Sequence, residues 1–113
     1  MSINDLTSYN KVTSITSEDS AVTIGNYSQY IVKAGWCYFQ LFFTVSDTSQ
    51  HYLETKFPNP TTGNYAYFNG IYQSTNIQIR IDRNGVVRLQ AGTPDIQIAF
   101  TGVYPIVNSP LPS

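Results

Sequence analysis

One histidine, one cysteine and seven carboxylates are the side chains of this 113-residue chain that most readily serve a nucleophilic, acid–base or metal centre. His51 lies in the polar segment Ser46-Asp47-Thr48-Ser49-Gln50-His51-Tyr52, and no Gly-x-Ser-x-Gly turn exists to present a nucleophile to it. Cys37 falls on the apolar side of an alternating segment, where a thiol serves as a packing group rather than as a thiolate. The carboxylates Asp5, Glu18, Asp19, Asp47, Glu54, Asp82 and Asp95 are scattered. Glu18-Asp19 reads as turn chemistry, and Asp82 precedes a hairpin loop. Glycoside hydrolysis needs two carboxyls held at a defined separation, which sequence spacing does not supply. A lone Cys with a lone His excludes an internal disulfide and a Cys/His zinc site; calcium held by loop carboxylates stays open, although no EF-hand spacing occurs. The seven glycines are dispersed, so no loop is built to cradle a phosphate. The expectation is a protein without catalytic residues, metal or cofactor.

Aromatic side chains are the repeated feature with a chemical use: nine Tyr, six Phe and one Trp make up 14% of the chain. Tyr65, Tyr67 and Tyr72 cluster around Phe68-Asn69-Gly70, and Trp36 and Tyr38 lie on another segment. Sugar rings stack their apolar C–H faces on aromatics, while their hydroxyls require dense donors and acceptors such as Asn, Gln, Asp and Arg. The chain carries both. The competing reading is that these tyrosines pack a sheet and keep their hydroxyls wet.

The elements that must position these groups are strands. Apolar residues recur with a period of two, and no helical stripe is sustained. Strands are expected over 11–16, 21–26, 29–33, 36–45, 65–69, 76–82, 86–91 and 95–104. About eight strands in one domain imply an all-β fold, an antiparallel β-sandwich of jelly-roll-like kind, although period-two patterns leave the strand order open. Ile77-Gln78-Ile79-Arg80-Ile81 and Val87-Arg88-Leu89-Gln90-Ala91 flank a loop that contains Asn84-Gly85. A three-residue loop pairs Ile81 with Val87 and Ile79 with Leu89, and sets Gly85 at the left-handed position that closes it. A two-residue loop would instead bring Arg88 to the buried face.

The favoured register sets Arg80 opposite Arg88 on the outer face, where like charges across a strand pair repel unless compensated. Asp82, Asp95, a carboxylate of another subunit or an anionic ligand group could supply that compensation. The segment Trp36-Cys37-Tyr38-Phe39-Gln40-Leu41-Phe42-Phe43-Thr44-Val45 is apolar on both sides, since Trp36, Tyr38 and Phe42 oppose Cys37, Phe39, Leu41, Phe43 and Val45. Its second side needs a cover, and a copy of the chain is the favoured one.

Charge narrows the partners. Six Lys+Arg against seven Asp+Glu give a formal charge of −1, and 12% charged residues is about half of the roughly 25% usual in soluble domains. No basic stripe is available to release counterions from a nucleic acid or to hold an anionic bilayer, and no secretory signal or long apolar run is present. Residues 1–10 read as a leader or linker, 11–107 as the β-sandwich domain and 108–113 as a tail.

From Lys33 to Tyr104 the order of elements is distinctive: Gly35-Trp36 opening an aromatic strand, Phe57-Pro58-x-Pro60, a tyrosine-rich stretch, the Asn-Gly hairpin and a closing Gly102-Val103-Tyr104-Pro105. This order resembles the small C-terminal β-domains of receptor-binding and baseplate tail proteins from phages and prophages of Gram-positive bacteria. The resemblance implies a virion protein made in the host cytoplasm, a homotrimer that meets other tail proteins and attaches to host cell-wall saccharide. It departs in that only about ten residues precede the first strand, where shoulder and neck segments are usual. No binding residue of that group maps onto this chain; by strand face and aromatic clustering, Tyr65, Tyr67, Tyr72, Arg80, Arg88 and marginally His51 are the ligand-facing candidates, and Trp36, Tyr38 and Phe42 the subunit-interface candidates. Alternatives are a monomeric carbohydrate-binding module and a purely structural virion subunit.

Overall fold

The computed structural model describes residues 12–61 and 65–106. Within them the chain forms nine strands and no helix: β1 (Val12–Ser14), β2 (Val22–Ile24), β3 (Gln29–Lys33), β4 (Trp36–Val45), β5 (His51–Tyr52), β6 (Ala66–Tyr72), β7 (Thr75–Ile81), β8 (Val87–Ala91) and β9 (Ile98–Pro105). Two antiparallel sheets result. One runs β1-β3-β4-β2 with β9 on the other edge of β4, and the second runs β5-β8-β7-β6. The architecture is the expected antiparallel β-sandwich. The leader and tail proposed over 1–10 and 108–113 lie outside the described residues.

Strand β4 organises the first sheet. Its buried side, Cys37, Phe39, Leu41, Phe43 and Val45, joins Ile98 and Tyr104 of β9 and meets Ile77, Ile79, Ile81, Val87, Leu89 and Ala91 from the facing sheet. Alternation of this kind lets each sheet bury one face and wet the other. Burial pushes the Cys37 thiol up to about 11, so it is a packing group as expected. Where β2 and β3 meet along one edge of β4, the Ser28 hydroxyl fills the break. It accepts from the Phe42 amide at 2.9 Å and lies 2.8 Å from the Gly25 carbonyl. That accounts for a buried serine in an apolar sheet.

Aromatic rings close one end of the core. Phe39 packs edge-on against Phe57 and Phe68, with centroids 5.5 and 5.1 Å away. Gly102 makes room for them, since a Cβ there would lie 2.5 Å from the Phe39 ring. The β7–β8 hairpin has the register read from the sequence, with Ile79 opposite Leu89, Arg80 opposite Arg88 and Ile81 opposite Val87. Gly85 has φ +86, and a Cβ on it would also collide with the Phe57 carbonyl oxygen. Both the left-handed backbone and the close neighbour demand glycine.

Most strand bounds differ from the expected ones by one or two residues, and the larger departures concern β5, β6, β9 and the β6–β7 turn. Strand β5 was not anticipated, because two residues are too few to show a period. Strand β6 continues through Gly70 to Tyr72, and β9 begins at Ile98 rather than 95 because Asp95 takes a left-handed φ of 64°. The β6–β7 turn is Gln73-Ser74, both residues at positive φ, a primed hairpin turn made without the usual Asn or Gly.

Candidate functional site

Strand parity gathers the outer face of the second sheet into rungs. Tyr67 of β6 pairs with Arg80 of β7, Arg80 with Arg88 of β8, and Arg88 with Tyr52 of β5. Two arginines thus sit side by side across the sheet, with a tyrosine at either end. The next rung holds Asn69, Gln78 and Gln90. Rungs two residues apart along a strand are separated by about 6.8 Å.

Arg80 is fixed in place. Its Nε donates to Asp82 Oδ1 at 2.7 Å, and its guanidinium carbon lies 5.2 Å from the Tyr65 ring centroid and 6.0 Å from that of Tyr67. Desolvation works against its charge, yet the hydrogen bond and charge of Asp82 outweigh it and hold the guanidinium above its ordinary pKa. Of the compensations considered for the Arg80–Arg88 pair, the intramolecular one is therefore partly realised, through Asp82. Asp95 instead lies in the β8–β9 connection, its amide bonded to the Val45 carbonyl.

Arg88 is different. Nη1 donates to the neutral Gln50 Oε1 at 3.2 Å, and the buried Nε has no partner among the described residues. Gln50, Tyr67, Gln78, Arg80, Arg88 and Gln90 line a pocket of about 260 Å³. Its wall on the β5 side is the 46–50 loop, held by a bond of 2.8 Å from Gln90 Nε2 to the Thr48 carbonyl.

His51 braces the same loop from behind. It points to the core side of β5, is 7% exposed, and has carboxylates at both ring nitrogens: Asp19 Oδ2 at 2.8 Å from Nδ1 and Asp47 Oδ1 at 2.7 Å from Nε2. Desolvation lowers its pKa, but the hydrogen bonds and charges of the two carboxylates outweigh that and leave it above the ordinary value. Both nitrogens being occupied, the ring has none free to take a proton from a nucleophile, so this histidine with two carboxylates is a clasp and not a general base. Asp19 belongs to the β1–β2 connection and Asp47 to the β4–β5 loop, so the clasp ties one sheet to the other.

Among the ligand-facing candidates, Tyr65, Tyr67, Arg80 and Arg88 come together, whereas Tyr72 and His51 do not. Tyr72 lies five residues beyond Tyr67, a shift of odd parity that turns it to the inner face, where it packs on the core. His51 is the buried clasp just described. The sequence reading also omitted Tyr52, Gln50, Gln78 and Gln90. The last two were findable, because Gln78 alternates with Ile77 and Ile79, and Gln90 with Leu89 and Ala91, on the face of the two arginines.

The interface candidates lie on the opposite side of the molecule. Trp36 is 43% exposed and Tyr38 45%, while Phe42 is half-buried beside Gly25. Tyr38 continues a cross-strand row of Val12, Ile31 and Val103. The described residues therefore leave the outer side of β4 open. Comparisons of the chain with protein-family models, with curated proteins and with solved structures found no match.

Proposed function

We propose that the protein is a non-enzymatic carbohydrate-binding β-sandwich whose saccharide site is the outer face of the β5-β8-β7-β6 sheet. The observation that carries this reading is the pocket in which Tyr67, two arginines and three glutamines converge on one sheet face. Planar amide and guanidinium groups match the paired hydroxyls of a sugar, and a tyrosine ring offers an apolar surface for its C–H face. Arg80, held by Asp82, and Gln90, held by the Thr48 carbonyl, are already fixed in place, so these two lose little conformational entropy on binding.

The resemblance to phage receptor-binding domains supplies the biological setting: attachment of a virion tail to host cell-surface saccharide, next to other tail proteins. Multivalency is its mechanism. Weak sites repeated on a homotrimer, and again around a tail, raise avidity through effective concentration. The open face of Trp36, Tyr38 and Val103 supports self-association over a monomeric carbohydrate-binding module. A purely structural virion subunit would have no use for the arginine–glutamine pocket.

Binding of oligosaccharides and of whole cell walls, measured by glycan array and calorimetry, tests the proposal. A bound glycan is expected, with Tyr67→Ala weakening it about tenfold, equivalent to about 1.4 kcal/mol. A blank against walls and glycans of many types would overturn it.

A further inference from the structure

The two rungs of the sheet face differ in chemistry. Around the arginine rung there are two guanidiniums and one carboxylate: Asp82 neutralises Arg80, while no described carboxylate lies within ion-pair distance of Arg88. A cross-strand pair of like charges is unfavourable, and a guanidinium Nε left without an acceptor carries a desolvation penalty. The first is relieved by one anionic oxygen group placed against the two guanidiniums. The contact that holds Arg88 in its present pose is a single bond to a neutral amide, which an anion can outcompete through charge-assisted, two-pronged hydrogen bonding. The chain as a whole carries a formal charge of −1, so attraction for an anion is local to this rung rather than a property of the surface.

The second rung is uncharged. A neighbouring depression of about 480 Å³ is lined by Thr48, Asn69, Asn76, Gln78 and Gln90 among others, with no ionisable side chain. It shares Gln78 and Gln90 with the arginine pocket, so the two depressions adjoin on the sheet face, as a groove with these two glutamines at its middle.

We propose that the groove takes an acidic oligosaccharide, with its carboxylate or phosphate group against Arg88 and Arg80 and its next, neutral sugar over Asn69, Gln78 and Gln90. This rests on the saccharide reading of the face and adds the charge, position and minimum length of the ligand.

The test is an array of neutral, uronate-bearing and phosphate-bearing oligosaccharides, followed by calorimetry of the intact chain with the tightest acidic binder and its carboxyl-reduced or dephosphorylated form. The expected result is at least tenfold tighter binding of the acidic form, a preference abolished by Arg88→Gln. Gln78→Ala should weaken acidic and neutral forms by similar factors. Selective binding in the uronate or the phosphate arm identifies the anionic group. Equal affinity for the acidic and neutralised glycan, which needs no variant, overturns the charge assignment and leaves the saccharide site standing. Preference retained in a folded Arg88→Gln protein overturns it as well. No binding in any arm removes the saccharide reading and this inference together.

Discussion

At His51 the consequence of two carboxylates on one imidazole is a stability window in pH. The histidine's pKa is raised above its ordinary 6.5 in the folded state, so its contribution is full below that value and is lost as pH rises through the raised one. Asp19, held down first by the Ala21 amide and then by His51, and Asp47, held down first by His51, lie below their ordinary 3.8. Their contributions are present above that value and are lost as pH falls through the lowered ones. The clasp is therefore strongest between about pH 4 and 6.5. His51→Gln should lower Tm most inside that window and least at pH 9, measured by thermal melts across the range. An equal loss at every pH would mean that shape, not charge, is what His51 supplies. Only half of this was legible in the sequence. Asp47 and His51 stand four residues apart in one polar loop, but Asp19 is distant in the chain and reaches the ring only through the packing of the two sheets.

At the scale of elements, the β7–β8 hairpin was legible because two separate signals agree. Alternation fixes which face Ile79 and Leu89 occupy, and Asn84-Gly85 fixes the loop. The β6–β7 hairpin was obscure for the opposite reason: Gln73 and Ser74 adopt φ of 50° and 66° without being residues that favour it. The tertiary pairing of β6 with β7 imposes the turn. Side chains with a Cβ are strained in that region by roughly 1–2 kcal/mol per residue. Replacing Gln73-Ser74 with Asn-Gly should therefore raise unfolding stability by about 1 kcal/mol, read from denaturant midpoints with unchanged m value. An unchanged or lower midpoint would show that the turn stores no strain. The same parity argument explains the partial reading of the site. Tyr65, Tyr67 and Tyr72 are near one another in sequence, but only a correct end for β6 separates those facing out from the one facing in.

For the whole molecule, the two sheets turn different surfaces outward. The β5-β8-β7-β6 sheet shows arginine, glutamine and tyrosine, and the sheet around β4 shows Trp36, Tyr38, Val12 and Val103. The second surface is legible in the double-sided aromatic segment, and the arginine register makes Arg80 and Arg88 of the first legible but not Tyr52 or the glutamines beside them. Strand order was not legible, since alternation names faces but not neighbours. A self-associated species is expected at micromolar concentration by sedimentation or light scattering, dispersed by a charge on the outer side of β4 such as Tyr38→Glu. A mass of 12.6 kDa for the unaltered chain would remove the multivalent part of the proposal and favour the single-site module.

The most direct measurement is an amide-resolved NMR titration with the tightest glycan from the array. Perturbed amides are expected to centre on Tyr67, Gln78, Arg80, Arg88 and Gln90, with the strand partners of Trp36 and Tyr38 unmoved. Shifts confined to the β4 and β9 side would contradict the placement of the site.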